Sequence, residues 1–119
     1  MRRLLAAAAI LTASVVPTLA SQTIAFSNLQ PLGFCQIAVS TAVTLSSACA
    51  NYPSNSNAIV VVVETAAVRW RDDGTAPTSS VGMFLDIGST LTYMGDISKV
   101  QFVAVSGSPV IDVSFYSTR

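Results

Sequence analysis

Short runs rich in Val, Ile, Thr, Phe and Tyr recur along the chain between clusters of Gly, Pro, Asn, Asp and Ser, and from residue 21 onward no stretch keeps a helical period. This pattern predicts strands joined by turns. The predicted strands are Thr23 to Phe26, Phe34 to Ser40, Val43 to Ser47, Ala58 to Trp70, Gly82 to Leu85, Thr90 to Tyr93, Val100 to Ser106 and Val110 to Tyr116. Between them lie Pro31 and Gly33, the Asn51 to Asn57 cluster around Pro53, Asp72 to Pro77, Gly88, Gly95-Asp96 and Gly107 to Pro109, the residue types that break strands. In the last strand Ile111, Val113 and Phe115 alternate with Asp112 and Ser114, which predicts a sheet with one wet face. Ile59 to Val63 is instead five β-branched apolar residues in a row, which predicts a strand that is central or covered on both sides. Both readings are met by an all-β fold: a single small antiparallel β-sandwich or jelly-roll-like domain.

The first twenty residues read differently. Arg2 and Arg3 precede an uncharged stretch from Leu4 to Val16, and Thr18-Leu19-Ala20 offers small residues where a signal peptidase cuts. The stretch is short and Ala-rich, and Pro17 near its end fits a signal better than an anchor. The organisation expected is a signal-like leader or hydrophobic arm over residues 1 to 20, followed by a β-sandwich domain over 21 to 119, with no stable membrane span in the mature part. Cleavage after Ala20 would remove two of the six positive charges and leave a net charge of about −2.

Composition narrows the chemistry. A chain of 119 residues supports one small domain. Six Lys plus Arg balance six Asp plus Glu, without a basic stretch, which argues against nucleic acid as a partner, since that needs several cations to displace counterions. The sequence has no histidine and two cysteines; it therefore lacks an imidazole base, an imidazole metal ligand and a four-thiolate zinc site. No cofactor motif is present, so no cofactor, metal or catalytic residue is expected. The carboxylates Glu64, Asp86, Asp96 and Asp112 fall on separate strands or turns, whereas a glycosidase needs two of them facing one another across a cleft. Lys99 is the one lysine in the sequence, and no local motif joins it to a serine nucleophile.

Cys35 and Cys49 flank a midpoint at Ala42. A hairpin turning at Thr41-Ala42 would set them opposite each other, within disulfide reach if their side chains share a face, and an exported domain would find itself where such bridges form. Two buried free thiols are the other reading, and from the sequence both stand.

The most distinctive segment is Val68-Arg69-Trp70-Arg71-Asp72-Asp73-Gly74-Thr75-Ala76-Pro77-Thr78, followed by Val81-Gly82-Met83. On a strand Val68 and Trp70 would face one way and Arg69 and Arg71 the other, the arginines about 7 Å apart. Such a cationic pair could grip a partner's carboxylate or sugar hydroxyl. The favoured reading is that it pairs with Asp72, Asp73 or Asp86 and holds the loop against the sheet. Asp72-Asp73-Gly74 has the make-up of a tight turn; a calcium reading is opposed by the adjacent arginines and by the lack of EF-hand spacing. Trp70, Tyr93 and Tyr116 could form a carbohydrate platform, though core packing is the commoner fate of a lone Trp on an apolar strand face.

These segments, with Tyr93, Gly95-Asp96-Ile97, Phe102 to Ser106 and Val113 to Tyr116, resemble small β-rich virion-associated proteins of tailed bacteriophages and prophages; the likeness runs from Pro31 to Tyr116. The resemblance implies a non-enzymatic virion structural or accessory protein, decorating the head or joining the tail or fibre apparatus. Its implied partners are copies of itself and other virion proteins, and its implied location is the virion. It carries over no catalytic residue. The leader departs from this picture, because virion proteins assemble in the cytoplasm and a signal would export the chain. The alternative is a secreted or periplasmic β-sandwich binding module, with glycans as the candidate ligand, using Trp70, the arginine pair and the nearby tyrosines.

Overall fold

The computed structural model describes residues 28 to 118. The leader and the strand expected at Thr23 to Phe26 lie outside this range. Among the described residues eight antiparallel strands form two four-stranded sheets: β1 (Leu29–Ala38), β2 (Val43–Thr44), β3 (Ala58–Glu64), β4 (Val68–Arg71), β5 (Met83–Leu85), β6 (Thr90–Met94), β7 (Gln101–Ala104) and β8 (Val110–Thr118). The strand order is β1-β8-β3-β6 in the first sheet and β2-β7-β4-β5 in the second. One short helix, α1 (Leu45–Ala48), and a 3-10 turn at Ile97–Lys99 complete the described elements. The all-β sandwich expected from the strand pattern is the fold.

Alternation along each strand explains how the layers meet. Ile59, Val61 and Val63 of β3 stand opposite Phe115, Val113 and Ile111 of β8, and all six are buried. Val68 and Trp70 of β4 stand beside Ala104 and Phe102 of β7. The two inner faces join in one core, to which Leu45 of α1 and Ile97 of the 3-10 turn also belong. Burying a side chain of this size stabilises the fold by about 1.5–3 kcal/mol. The T-shaped contact of Trp70 in the second sheet with Tyr93 in the first, centroids 5.7 Å apart, ties the layers together directly.

β3 lies between β8 and β6, so the run Ile59 to Val63 is central as expected. Its other face is closed less completely. Val60 and Val62 are half-buried among Ser114, Asp112, Thr92 and Thr90 of the flanking strands. Neighbours within the sheet shield them.

Four expectations need correction. Pro31 and Gly33, read as a break, lie inside β1, which passes them with a shift of register against β8. The stretch from Ala58 to Trp70 is two strands. Between Glu64 and Val68 the chain leaves one sheet for the other, through Thr65 at φ 68°, a left-handed conformation uncommon for a non-glycine residue. The Thr65 hydroxyl donates to the Ser108 carbonyl at 2.8 Å, which helps hold the crossing. The stretch from Val43 to Ser47 stays extended only to Thr44, whose side chain then accepts from the Ser47 amide at 3.3 Å and caps α1. This is the competition that Thr and Ser offer to extended structure through local hydrogen bonds. The hairpin imagined around Thr41-Ala42 does not form, since β1 pairs with β8 and β2 with β7.

Cys35 and Cys49 are nonetheless joined in a disulfide, with Cα atoms 6.0 Å apart. Cys35 sits on β1 at the edge of the first sheet, and Cys49 follows α1, which continues directly from β2 of the second. The bridge therefore fastens one layer to the segment leaving the other. By closing a loop of 14 residues it restricts the unfolded chain, an effect of about 3 kcal/mol for a loop of this size.

Candidate functional site

The distinctive segment forms β4 and the long connection to β5. Val68 and Trp70 point into the core and Arg69 and Arg71 away from it, as period-two alternation requires. The connection then folds back against the strand. Arg69 donates from Nε to the Ser79 carbonyl at 3.0 Å and from Nη1 to the Gly82 carbonyl at 2.9 Å, while its guanidinium lies 5.4 Å from the centre of the Phe84 ring. Gly82 has φ 137°. A Cβ there would meet the Pro77 and Arg69 Cβ atoms at 3.1 and 3.2 Å and the Trp70 carbonyl at 3.2 Å, so the loop lies this close only because the residue is glycine.

Arg71 and Asp73 form an ion pair, in which Arg71 Nε also donates to Asp73 Oδ1 at 3.1 Å. The same carboxylate oxygen accepts from the Thr75 amide at 3.1 Å, closing an Asx turn around Gly74, which takes φ 80°. The hydrogen bond from Arg71, followed by that from the Thr75 amide, holds the Asp73 carboxyl below its ordinary value, and the same pairing raises Arg71. Asp72 lies near Tyr93. Burial raises the Tyr93 hydroxyl, and the charges of Asp72 and Asp96 raise it further.

Arg71, Asp72, Asp73, Val81, Gly82 and Met83 line an open groove of about 340 Å³. Of the two arginines, Arg71 is matched with an Asp as anticipated and Arg69 is matched with loop carbonyls instead. Their bonding holds the loop in place. The calcium reading meets a direct obstacle, because Arg71 already occupies the Asp73 carboxylate.

The other sequence candidates do not converge here. Trp70 is 7% exposed, packed edge-on with Tyr93, so its ring is not open for stacking on a sugar, and Tyr116 sits on β8, opposite Ala58. Asp112 accepts from the Gln36 side chain at 3.0 Å. Asp96 accepts from the Ser98 amide at 3.2 Å and lies 4.0 Å from Lys99. Asp86 accepts from the Ile87 amide at 2.8 Å. Asp86 and Asp96 are engaged within their own turns, and Asp112 by the neighbouring strand β1. Among the described residues no group of three or more His, Cys, Asp or Glu is placed to hold a metal ion.

One feature of this region was not singled out from the sequence. Val81, Met83, Phe84 and Ile87 are 53, 48, 51 and 59% exposed, and they surround β5, an edge of the second sheet. Its signal was there: Val81 to Ile87 carries apolar side chains at both odd and even positions, which a strand with a wet outer face does not need. That these residues would end on an edge is a property of strand order.

No protein-family model, no curated protein and no solved structure matches this chain.

Proposed function

We propose that this protein is a non-enzymatic structural component of a tailed-phage particle, a head decoration or a tail- or fibre-associated subunit, that works by assembling with copies of itself and with other virion proteins. The observation that carries this reading is the cluster of large exposed apolar side chains on and beside β5. Monomeric proteins rarely leave such patches open to water, and they commonly mark contact surfaces. The sequence resemblance supports the phage assignment. The strand order supports it too: each consecutive strand crosses to the other sheet except at β4–β5, the wrapping expected of an eight-stranded jelly roll, an architecture shared by viral capsid and lectin domains. Size-exclusion chromatography with light scattering over a range of concentrations tests the reading. Dimers or larger species are expected, and a chain that stays monomeric at high concentration counts against it.

A second reading, an exported binding module, is favoured by the Cys35–Cys49 bridge, since disulfides persist in oxidising compartments. Recovery of a monomeric chain that binds on a glycan array would favour it over the first.

A further inference from the structure

Among the four sheet edges, three are poorly suited to pairing with another chain. β2 has two residues. β1 contains Pro31, and its register shifts between Pro31 and Gly33, both of which interrupt pairing. β6 is less apolar: its exposed face presents Thr90 and Thr92, with Met94 alone among its exposed side chains apolar. β5 is short, but it is uncharged, free of proline and flanked by exposed apolar side chains on both sides.

We propose that β5 pairs antiparallel with β5 of a second copy about a two-fold axis through Phe84, joining the two second sheets into one. This deepens the assembly reading and rests on it. The occupant is identified by charge. Among the described residues the ion pairs are Arg71–Asp73 and Lys99–Asp96, so Arg69 and Asp86 have no ionic partner there. Arg69 stands opposite Phe84 and reaches the Gly82 carbonyl. In the two-fold register Phe84 faces Phe84, Met83 faces Leu85 and Gly82 faces Asp86. Directly opposed residues have Cβ atoms about 5 Å apart, and alternate residues share a face. Asp86 of the second copy therefore arrives on the outer face beside the guanidinium of Arg69, and the symmetry makes the same pair twice. Val81 to Leu85 contains no charge, so no like charges meet along the seam. A self-complementary patch of this kind is what a closed two-fold interface requires.

The test is sedimentation velocity on the full chain and on Phe84→Lys, Asp86→Lys and Phe34→Lys, each checked by circular dichroism. Phe84→Lys is expected to be monomeric at concentrations where the wild type associates. Asp86→Lys is expected to raise the dissociation constant about tenfold. Phe34→Lys, an exposed position on the edge of the other sheet, is expected to behave as wild type. In a second measurement, Phe84→Cys should form a covalent dimer on oxidation, while Met83→Cys, which does not face itself, should not. If the wild type associates and Phe84→Lys associates equally, the β5 seam is wrong and the assembly reading stands. If Phe84→Lys fails to fold, undiminished association of Asp86→Lys together with no covalent dimer from Phe84→Cys overturns the seam. A monomeric wild type removes both.

Discussion

At Gly95 the backbone takes φ 153°, and a Cβ would come within 2.8 Å of the Tyr93 hydroxyl oxygen. Gly95→Ala should therefore cost about 2 kcal/mol through backbone strain and displacement of the ring, read as a lower unfolding midpoint with a change in near-UV circular dichroism. Trp70→Ala should cost more, about 3–5 kcal/mol, because it empties a site where the two sheets touch; chemical denaturation would measure it. A loss below 1 kcal/mol would contradict the inward placement of this side chain. Asp73 gives the pH dependence. Its folded value lies below the ordinary 3.8 because Arg71 and the Thr75 amide favour the charged form. Its contribution to loop order is thus present above the unfolded value and lost as pH falls through the lower folded one. An NMR titration of the Asp73 carboxyl carbon should show it more than half ionised at pH 3.8, and Arg71→Gln should move the transition upward.

Among the elements, the disulfide and the crossing at Thr65 make different demands on the chain. Replacing Cys35 and Cys49 with alanine should destabilise the domain by about 2–4 kcal/mol, measured by denaturation of the double variant against the oxidised wild type. The strands themselves were largely legible beforehand, because apolar alternation and turn residues act over a few neighbours. β8 follows directly from its alternating pattern, and β3 from its unbroken β-branched run. The break at Thr65 to Ala67 was not legible: no Gly, Pro, Asn or Asp marks it, and the chain turns there because both flanking strands find partners in different sheets. The short α1 was hidden in the same way, since Leu45 is buried by tertiary contacts and a helix of one turn has little stability of its own.

For the molecule as a whole, the surface divides into a held loop and an open edge. Arg69 and Arg71, the most conspicuous residues in the sequence, bind the β4–β5 connection internally. Phe84 and its neighbours, inconspicuous in the sequence, remain facing water. Association through that edge would bury apolar surface together with the Arg69–Asp86 contacts. Raising salt should weaken the ionic part, while the apolar part should persist, so sedimentation at low and high ionic strength should show weaker but not abolished association.

Alternation and turn composition are local, and they were enough to define an all-β sandwich and to place Trp70 inside with the arginines outside. The partner of each strand, the route of the Cys35–Cys49 bridge and the identity of the exposed edges depend on contacts between residues far apart in the chain. A hairpin was the nearest explanation for the two cysteines, yet β1 and β2 each gain a longer-range partner, β8 and β7, that lets their apolar faces meet in the common core. Strand identity is written in a few neighbouring side chains; strand order is settled by which arrangement closes that core, and with it whether an apolar residue such as Phe84 ends in the interior or at the rim.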